Sequence, residues 1–388
     1  MRYHGTNIDG PSLDPEKLNV RGKDLNELIG QTSYTAAVFH LLTGEQPSAE
    51  QEHALDTFLL DALRAVPAGH AMLTAVEITA ASGASVSRAL IAGLMVNAEP
   101  LRASLCSAEK MGPCGLNPSL QEGLFVFAVT PLLLAHAVRV RAGRSAPLEP
   151  WLASLSKAED YLGALVFLVE ARQASEAMTR KLLNDVLVTF HAGFGFLAPT
   201  THLPREASGT GVPMPQAIAA GFTAAGPSHV GACEEAMKLL RGLQGGEPSS
   251  SPERIAAVVE RLLGAGQIVP GFGHPIFERD PRPPHLRRLL AGLAYEPEPI
   301  RHYDELARLV REKLGLNPNV DSICAAILVS LGVEPDFGTG LFLCSRSAAM
   351  IAHAHERRET KPPFGLRSRI VRKVLKSVAK EDFEYSPF

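Results

Sequence analysis

Between Val186 and Cys233 the chain carries only two fully charged residues, Arg205 and Glu206, and the stretch Ala217–Ala225 is almost entirely small or apolar. A helix built from such residues has no polar face to give to water, so it must lie at the centre of the protein or against a second subunit. This favours a subunit interface, and hence a homodimer. Gly, Pro, Thr and His interrupt both Val186–Pro204 and Ala207–Cys233, so neither reads as a membrane span.

Helical signals dominate the rest. Ser48 and Gln51 have capping-box spacing, and Leu55, Phe58, Leu59, Ala62, Leu63 and Val66 recur at helical intervals, predicting an amphipathic helix from about Ser48 to Ala65. Ser251-Pro252 reads as an N-cap followed by a first-turn proline, opening a helix that stops near Gly264. Further apolar helical patterns cover Leu124–Arg139, Tyr161–Met178, Ile323–Leu331 and Leu341–His355. No alternation of period two persists long enough to build a sheet, so the expected fold class is all-α.

A chain of 388 residues is long for one small core, which predicts two domains or one large domain with an insertion. The segment Gly245–Pro252 reads as a linker, and Arg279–Pro299 as a proline-interrupted stretch. With 38 Lys+Arg against 41 Asp+Glu, the net charge of -3 argues against a general polyanion binder, leaving room for a local basic patch, and nucleic acid is not among the expected partners. A charged substrate must be held locally. Five widely spaced cysteines and an N-terminus without an apolar signal core fit a reducing, cytoplasmic setting.

Two histidines and an acid stand in Gly/Pro-rich settings: Gly226-Pro227-Ser228-His229, Pro270-Gly271-Phe272-Gly273-His274-Pro275, and Asn317-Pro318-Asn319-Val320-Asp321. Two imidazoles and a carboxylate can together take a proton from carbon, stabilise the resulting enolate and polarise a carbonyl for attack, the toolkit of a Claisen-type condensation. Asp321 begins an apolar helix, whose dipole favours the ionised carboxylate; burial would push the other way, and the two effects compete. Gly271 and Gly273 leave room for a ligand to approach the backbone, and Pro275 biases His274 towards an extended loop. Taken singly, His229 also reads as a core histidine, Asp321 as an ordinary helix-start acid, and Arg282 and Arg346 as salt-bridge partners. His353 and His355 lie two apart on a helix and face different ways, which argues against a metal site.

The chain resembles the citrate synthase family. The resemblance rests on the three segments above, with Gly231-Ala232 after the first and Asp280-Pro281-Arg282 after the second, on Ser345-Arg346 with Ile351-Ala352-His353, and on Arg21-Gly22-Lys23-Asp24-Leu25. It implies that Asp321 removes a proton from the methyl group of a bound acyl-CoA and that His229 hydrogen-bonds the thioester oxygen. His274 would polarise the ketone of a 2-oxo acid, and Arg282 and Arg346 would hold its carboxylates. Gly271, Gly273 and Asn319 would contact the CoA thioester, a substrate, with no tightly bound cofactor and no metal. The implied fold is a two-domain helical one: a large domain from residues 1–232 and 341–388, with a small domain at 233–340 between them.

Two departures bear on the substrate. Where the family carries a further substrate-binding histidine, this chain reads Ala192-Gly193-Phe194-Gly195-Phe196, which places Gly195, or Phe194 with a one-residue shift, at that position; His191 is out of register. The family's C-terminal Arg-Pro-Arg, whose first Arg reaches a carboxylate in the neighbouring subunit's site, is Lys361-Pro362-Pro363 here, and lysine lacks the two-pronged fork. Oxaloacetate is therefore in question, and Phe194 and Phe196 suit a less polar or bulkier 2-oxo acid. The basic tail from Arg367 to Lys380 reads as a solvated helix face, with contact to CoA phosphates as the alternative. Two other functions stay open: a lyase cleaving a citryl-CoA-like thioester, and a non-catalytic paralogue that binds CoA or an organic acid.

Overall fold

The computed structural model describes residues 6–96, 98–105, 112–144, 147–244 and 252–360. Its helices are α1 Leu25–Leu28, α2 Tyr34–Thr43, α3 Ala49–Arg64, α4 Ala71–Ala81, α5 Val86–Leu94, α6 Glu99–Leu105, α7 Gln121–Arg141, α8 Leu148–Ala153 and α9 Tyr161–Leu168. They continue with α10 Glu176–His191, α11 Pro199–Ser208, α12 Met214–Phe222, α13 Ala232–Leu243, α14 Pro252–Gly264, α15 Arg282–Gly292, α16 Glu298–Leu314, α17 Val320–Ser330 and α18 Phe337–Thr360. The all-α class holds, with one correction. A small antiparallel sheet, in the order β1 Asp9–Leu13, β2 Glu16–Val20 and β3 Lys23–Asp24, precedes α1. Strands of five, five and two residues are too short to show an alternation in sequence.

The Arg21–Asp24 segment joins this sheet to the helices. Arg21 and Gly22 both take positive φ, 49° and 94°, as a tight two-residue hairpin turn requires. The Arg21 guanidinium donates to the Leu41 and Leu42 carbonyls at the end of α2, and Asp24 caps α1.

Helix α3 forms as its sequence predicts. Ser48 Oγ accepts from the Gln51 amide and Gln51 Oε1 from the Ser48 amide, while Leu55, Phe58, Leu59, Ala62 and Leu63 are buried. Helix α7 is buried from Gly123 to Arg139 and packs against α3, α4, α5 and α18, forming the axis of the core. It is long and apolar enough to cross a membrane, but 94% of that apolar window is inside the protein.

Three expectations change. The predicted single helix over Tyr161–Met178 is two, because Glu170 turns with φ 53°, Arg172 and Gln173 donate to the Leu331 carbonyl, and Ser175 caps α10 afresh. Within the supposed proline-interrupted stretch, α15 forms with Pro283 and Pro284 in its first turn, where a missing N–H leaves no bond unmade. The uncharged region is buried by the chain's own α18 and α5, so the need for a second subunit to cover it no longer follows. Helix α14 has the predicted extent; Ser251 and most of the linker lie outside the described residues. Helices α13 to α17 pack on one another with α17 at their centre, and α18 then returns against α7 and α11.

Candidate active site

A cleft of about 1200 Å³ opens where the α13–α17 group meets the rest of the protein. His229, His274, Asp321, Arg282, Arg346 and Asn319 all line it, as do Gly271 and Gly273. Residues far apart in sequence are thus brought to one wall-to-wall site.

His229 sits in a turn closed by reciprocal backbone bonds between Gly226 and His229, 2.9 and 3.0 Å long. Its Nε2 lies 3.2 Å from Thr200 Oγ1 on α11. When that hydroxyl donates, the proton of the neutral ring sits on Nδ1. The next residue, Val230, holds φ 73°, an uncommon conformation for a β-branched side chain. Burial, with Arg346 nearby, lowers the His229 pKa to about 4, so the ring is neutral at pH 7.

His274 is fixed in its other tautomer. Its Nδ1 accepts from the amides of Ile276 and Phe277 at 3.1 and 3.0 Å, which leaves Nε2 to carry the proton of the neutral ring. Burial and then the Arg282 charge lower its pKa to about 4. The loop before it is stitched to the start of α17: Asn319 donates its amide to the Gly271 carbonyl and Nδ2 to the Gly273 carbonyl, and Gly273 donates to the Asn317 carbonyl. Gly271 and Gly273 hold φ 86° and 80°, and a Cβ on Gly271 would meet Ser322 Cβ at 2.7 Å. Glycine lets the loop lie directly on the helix.

Asp321 settles the competition between dipole and burial. It occupies the second position of α17, where Asn319 Oδ1 accepts from its amide at 3.0 Å, but its own Oδ1 is enclosed with no hydrogen-bond partner. Burial raises its pKa to about 7, against the lowering effect of Arg282. A carboxylate with one oxygen enclosed and unpaired, poised near neutrality, is a base waiting for a substrate proton.

The two arginines differ. Arg282 is committed: its Nε and Nη2 donate to the two oxygens of Asp280 at 2.8 and 2.7 Å, with both side chains essentially inaccessible. Asp280 also accepts from the Val320 amide at 2.9 Å, tying this pair to α17. In the sequence Asp280 is visible only as part of the Asp280-Pro281-Arg282 segment; its pairing with Arg282 and the Val320 amide is a feature of the folded chain. Arg346, from α18, is 2% exposed and donates through Nε to the Phe190 carbonyl at 3.1 Å, with no carboxylate in ion-pair contact among the described residues. Burial lowers its pKa to about 9. Asp9 and Asp321 act on it only from a distance, and a buried guanidinium with no acid in contact among the described residues is a site for an anionic ligand group.

The remaining candidates fall elsewhere. Gly195 does not line the cleft; Phe194 does, its ring 5.4 Å from the His274 ring and 5.6 Å from that of Phe277. The Gly195 and Gly193 amides point instead to Asp9, at 2.9 and 2.6 Å, and His353 Nε2 meets the same carboxylate at 3.0 Å. Burial works to raise the Asp9 pKa, yet His353 and the two amides hold it below its ordinary value. Arg205 continues this buried chain from His353 to Glu356. His191 is fully buried, its Nδ1 against the Val188 carbonyl, and does not line the cleft. Asp9 and Thr200 carry no local signal that sequence reading could have used. Lys361 and the basic tail lie outside the described residues.

The sequence model described as "Citrate synthase, C-terminal domain" matches residues 1–373. The chain belongs to the citrate synthase family. It is similar to citrate synthase from Haloferax volcanii, 25% identical over 98% of this chain and 93% of that protein. To citrate synthase from Synechocystis sp. it is 28% identical, over 60% of this chain and only 56% of that protein. Among solved structures, the ternary complex of carboxymethyl coenzyme A and oxalateacetate with citrate synthase from Thermoplasma acidophilum matches with TM-score 0.70 at 16% identity, covering 92% of this chain and 90% of that one. Citryl-CoA lyase from Hydrogenobacter thermophilus matches with TM-score 0.50 at 24% identity, over 61% of this chain and 88% of that one. At these identities the structural matches speak for the fold, which is that of the citrate synthase family.

Proposed function

We propose that this member of the citrate synthase family condenses an acyl-CoA, acetyl-CoA in the first instance, with a 2-oxo acid and then hydrolyses the thioester. The observation that carries the reading is one cleft holding a carboxylate with an unpaired oxygen and a pKa raised to about 7, two neutral imidazoles and a buried arginine with no acid in contact among the described residues. Asp321 takes the methyl proton, and the C–H electron pair moves to form an enolate whose oxygen His229 hydrogen-bonds. The enolate carbon attacks the ketone carbon, the C=O pair moves onto the ketone oxygen, and the resulting alkoxide, hydrogen-bonded by His274 Nε2–H, gains one proton to become a hydroxyl, balancing the proton that Asp321 removed. Water then cleaves the thioester, releasing CoA thiol and a new carboxylate. An enolate is strongly basic in water, so donors already in place at its oxygen supply much of the barrier lowering. The same groups run in reverse for a lyase.

The domain division at 233–340 belongs to this proposal and is supported by the mutual packing of α13 to α17. So does the homodimer, which rests on the family likeness; sedimentation at micromolar concentration tests it, and a folded, active monomer would contradict it. A cytoplasmic setting is proposed on the cysteine usage, with fractionation of the source cells as its test.

Thiol release from acetyl-CoA, measured with a panel of 2-oxo acids, tests the reaction. The expected result is oxo-acid-dependent release that falls more than about a hundredfold in Asp321→Asn. Release that ignores the oxo acid, or survives the substitution, rejects the reading and favours a binding paralogue.

A further inference from the structure

His274 polarises a ketone only through Nε2–H, and the proton stays there because Nδ1 accepts from the Ile276 and Phe277 amides. The next two amides of the chain have an acceptor as well. Glu278 and Arg279 donate their backbone N–H groups to Glu16, one to each carboxylate oxygen, at 2.6 and 2.9 Å. Four successive N–H groups of one turn are thus held by two side chains, the first pair by the imidazole and the second by a carboxylate. The backbone couples the pairs, since the turn that aims amides 276 and 277 at the ring is the turn that aims 278 and 279 at Glu16. Bonds to a charged acceptor are about twice as strong as neutral ones, so the carboxylate is the firmer hold.

Glu16 reaches this turn from the other end of the chain. It pairs with Leu13 at the tip of the β1–β2 hairpin, 262 residues before Glu278. The hairpin is a fixed anchor: Leu18 and Val20 are buried, and at its base Asp9 accepts from the Gly193 and Gly195 amides and meets His353. Two longer bonds tie the same N-terminal part to the start of α15, Asn26 Nδ2 to the Pro281 carbonyl at 3.2 Å and His285 Nε2 to the Ile29 carbonyl at 3.3 Å, but both lie beyond residues 276–279. Glu16 does not line the cleft, so it acts on the site through the turn. We propose that Glu16 is a positioning residue for His274: by holding the 278 and 279 amides it fixes the turn whose 276 and 277 amides orient the ring and keep its proton on Nε2. For the task given to His274, and for nothing else, this rests on the condensation reading. Without Glu16 the turn loosens, Nδ1 loses its donors, and the neutral ring divides between two tautomers, one of which offers the ketone no proton.

Nitrogen-15 NMR of the full chain labelled at histidine, with the His274 signals identified by their loss in His274→Gln, reads the tautomer without requiring turnover. The unsubstituted protein should show the proton on Nε2 at pH 7, and Glu16→Ala a mixture of tautomers. Glu16→Gln separates the bond from the charge. Burial and then Arg282 lower the His274 pKa while the Glu16 charge works weakly against them, and Gln removes that charge but keeps an acceptor oxygen. It should therefore retain the Nε2–H ring. In thiol release, Glu16→Ala should lower kcat about tenfold or more with the KM for acyl-CoA changed by less than about twofold, and Glu16→Gln should recover most of the loss. Glu16 is half-buried at a hairpin tip; should the Ala variant fail to fold, Glu16→Thr, which suits a strand but is too short to reach the amides, takes its place. An Nε2–H ring in Glu16→Ala, an unchanged kcat, or a Gln variant as impaired as the Ala one overturns the proposal. A shifted spectrum in a protein that turns over no 2-oxo acid removes the condensation and keeps this inference; Asp321-dependent thiol release with an unmoved spectrum does the opposite.

Discussion

Replacing Asp321 with Asn should stabilise the protein at alkaline pH while abolishing turnover. The carboxylate lies in an apolar helix start with Oδ1 enclosed and unpartnered, and burial raises its pKa to about 7. In the unfolded chain the same group titrates near about 3.9. Between these values the folded protein binds a proton that the unfolded chain has released, so stability falls as pH rises through the window. From the two pKa values, burying the ionised group costs about 4 kcal/mol at pH 8 and about 1.5 kcal/mol at pH 5. Asn carries no such term. The gain from Asp321→Asn should therefore be larger at pH 8 than at pH 5 by roughly 2.5 kcal/mol. Urea unfolding of both proteins at the two pH values measures this, and the effects of His229 and His274 cancel because both proteins contain them. An equal gain at both pH values, or an Asn protein less stable at pH 8, would refute the argument that burial controls this group.

Two further substitutions probe the frame that holds the site. Gly271→Ala places a Cβ 2.7 Å from Ser322 Cβ at a φ of 86°, and should cost about 3 kcal/mol in urea unfolding and raise KM for the acyl-CoA; a variant as stable as the parent would show that the loop is not seated on α17. Asp280→Asn leaves the buried Arg282 charge uncompensated and should cost about 3 kcal/mol, read as a lowered urea midpoint; an unchanged midpoint would mean that the pair adds nothing.

What could be read from sequence was local. Ser48 with Gln51, Pro252 at a helix start, and the Gly/Pro loops around His229, His274 and Asp321 act through near neighbours, and each is found where its residues place it. The rest depended on distant partners. No pattern around Gly195 announces that its amide is taken by Asp9, 186 residues away in the chain, or that Phe194 is thereby the residue at the cleft. The break between α9 and α10 follows from a carbonyl at Leu331, and the burial of the uncharged region follows from α18 and α5 rather than from another subunit. For Asp321, the helix dipole was visible in the sequence and the enclosing wall was not. The wall wins.

The pH dependence of kcat/KM for the acyl-CoA tests the central claim most directly. Asp321 must be ionised to take the proton, while His229 and His274, with pKa values of about 4, are already neutral through the accessible range. The profile should rise about tenfold per pH unit below pH 7, bend once near the Asp321 value of about 7, and stay level above it. A profile flat from pH 5 to 8, as an unperturbed carboxylate would give, would contradict the account.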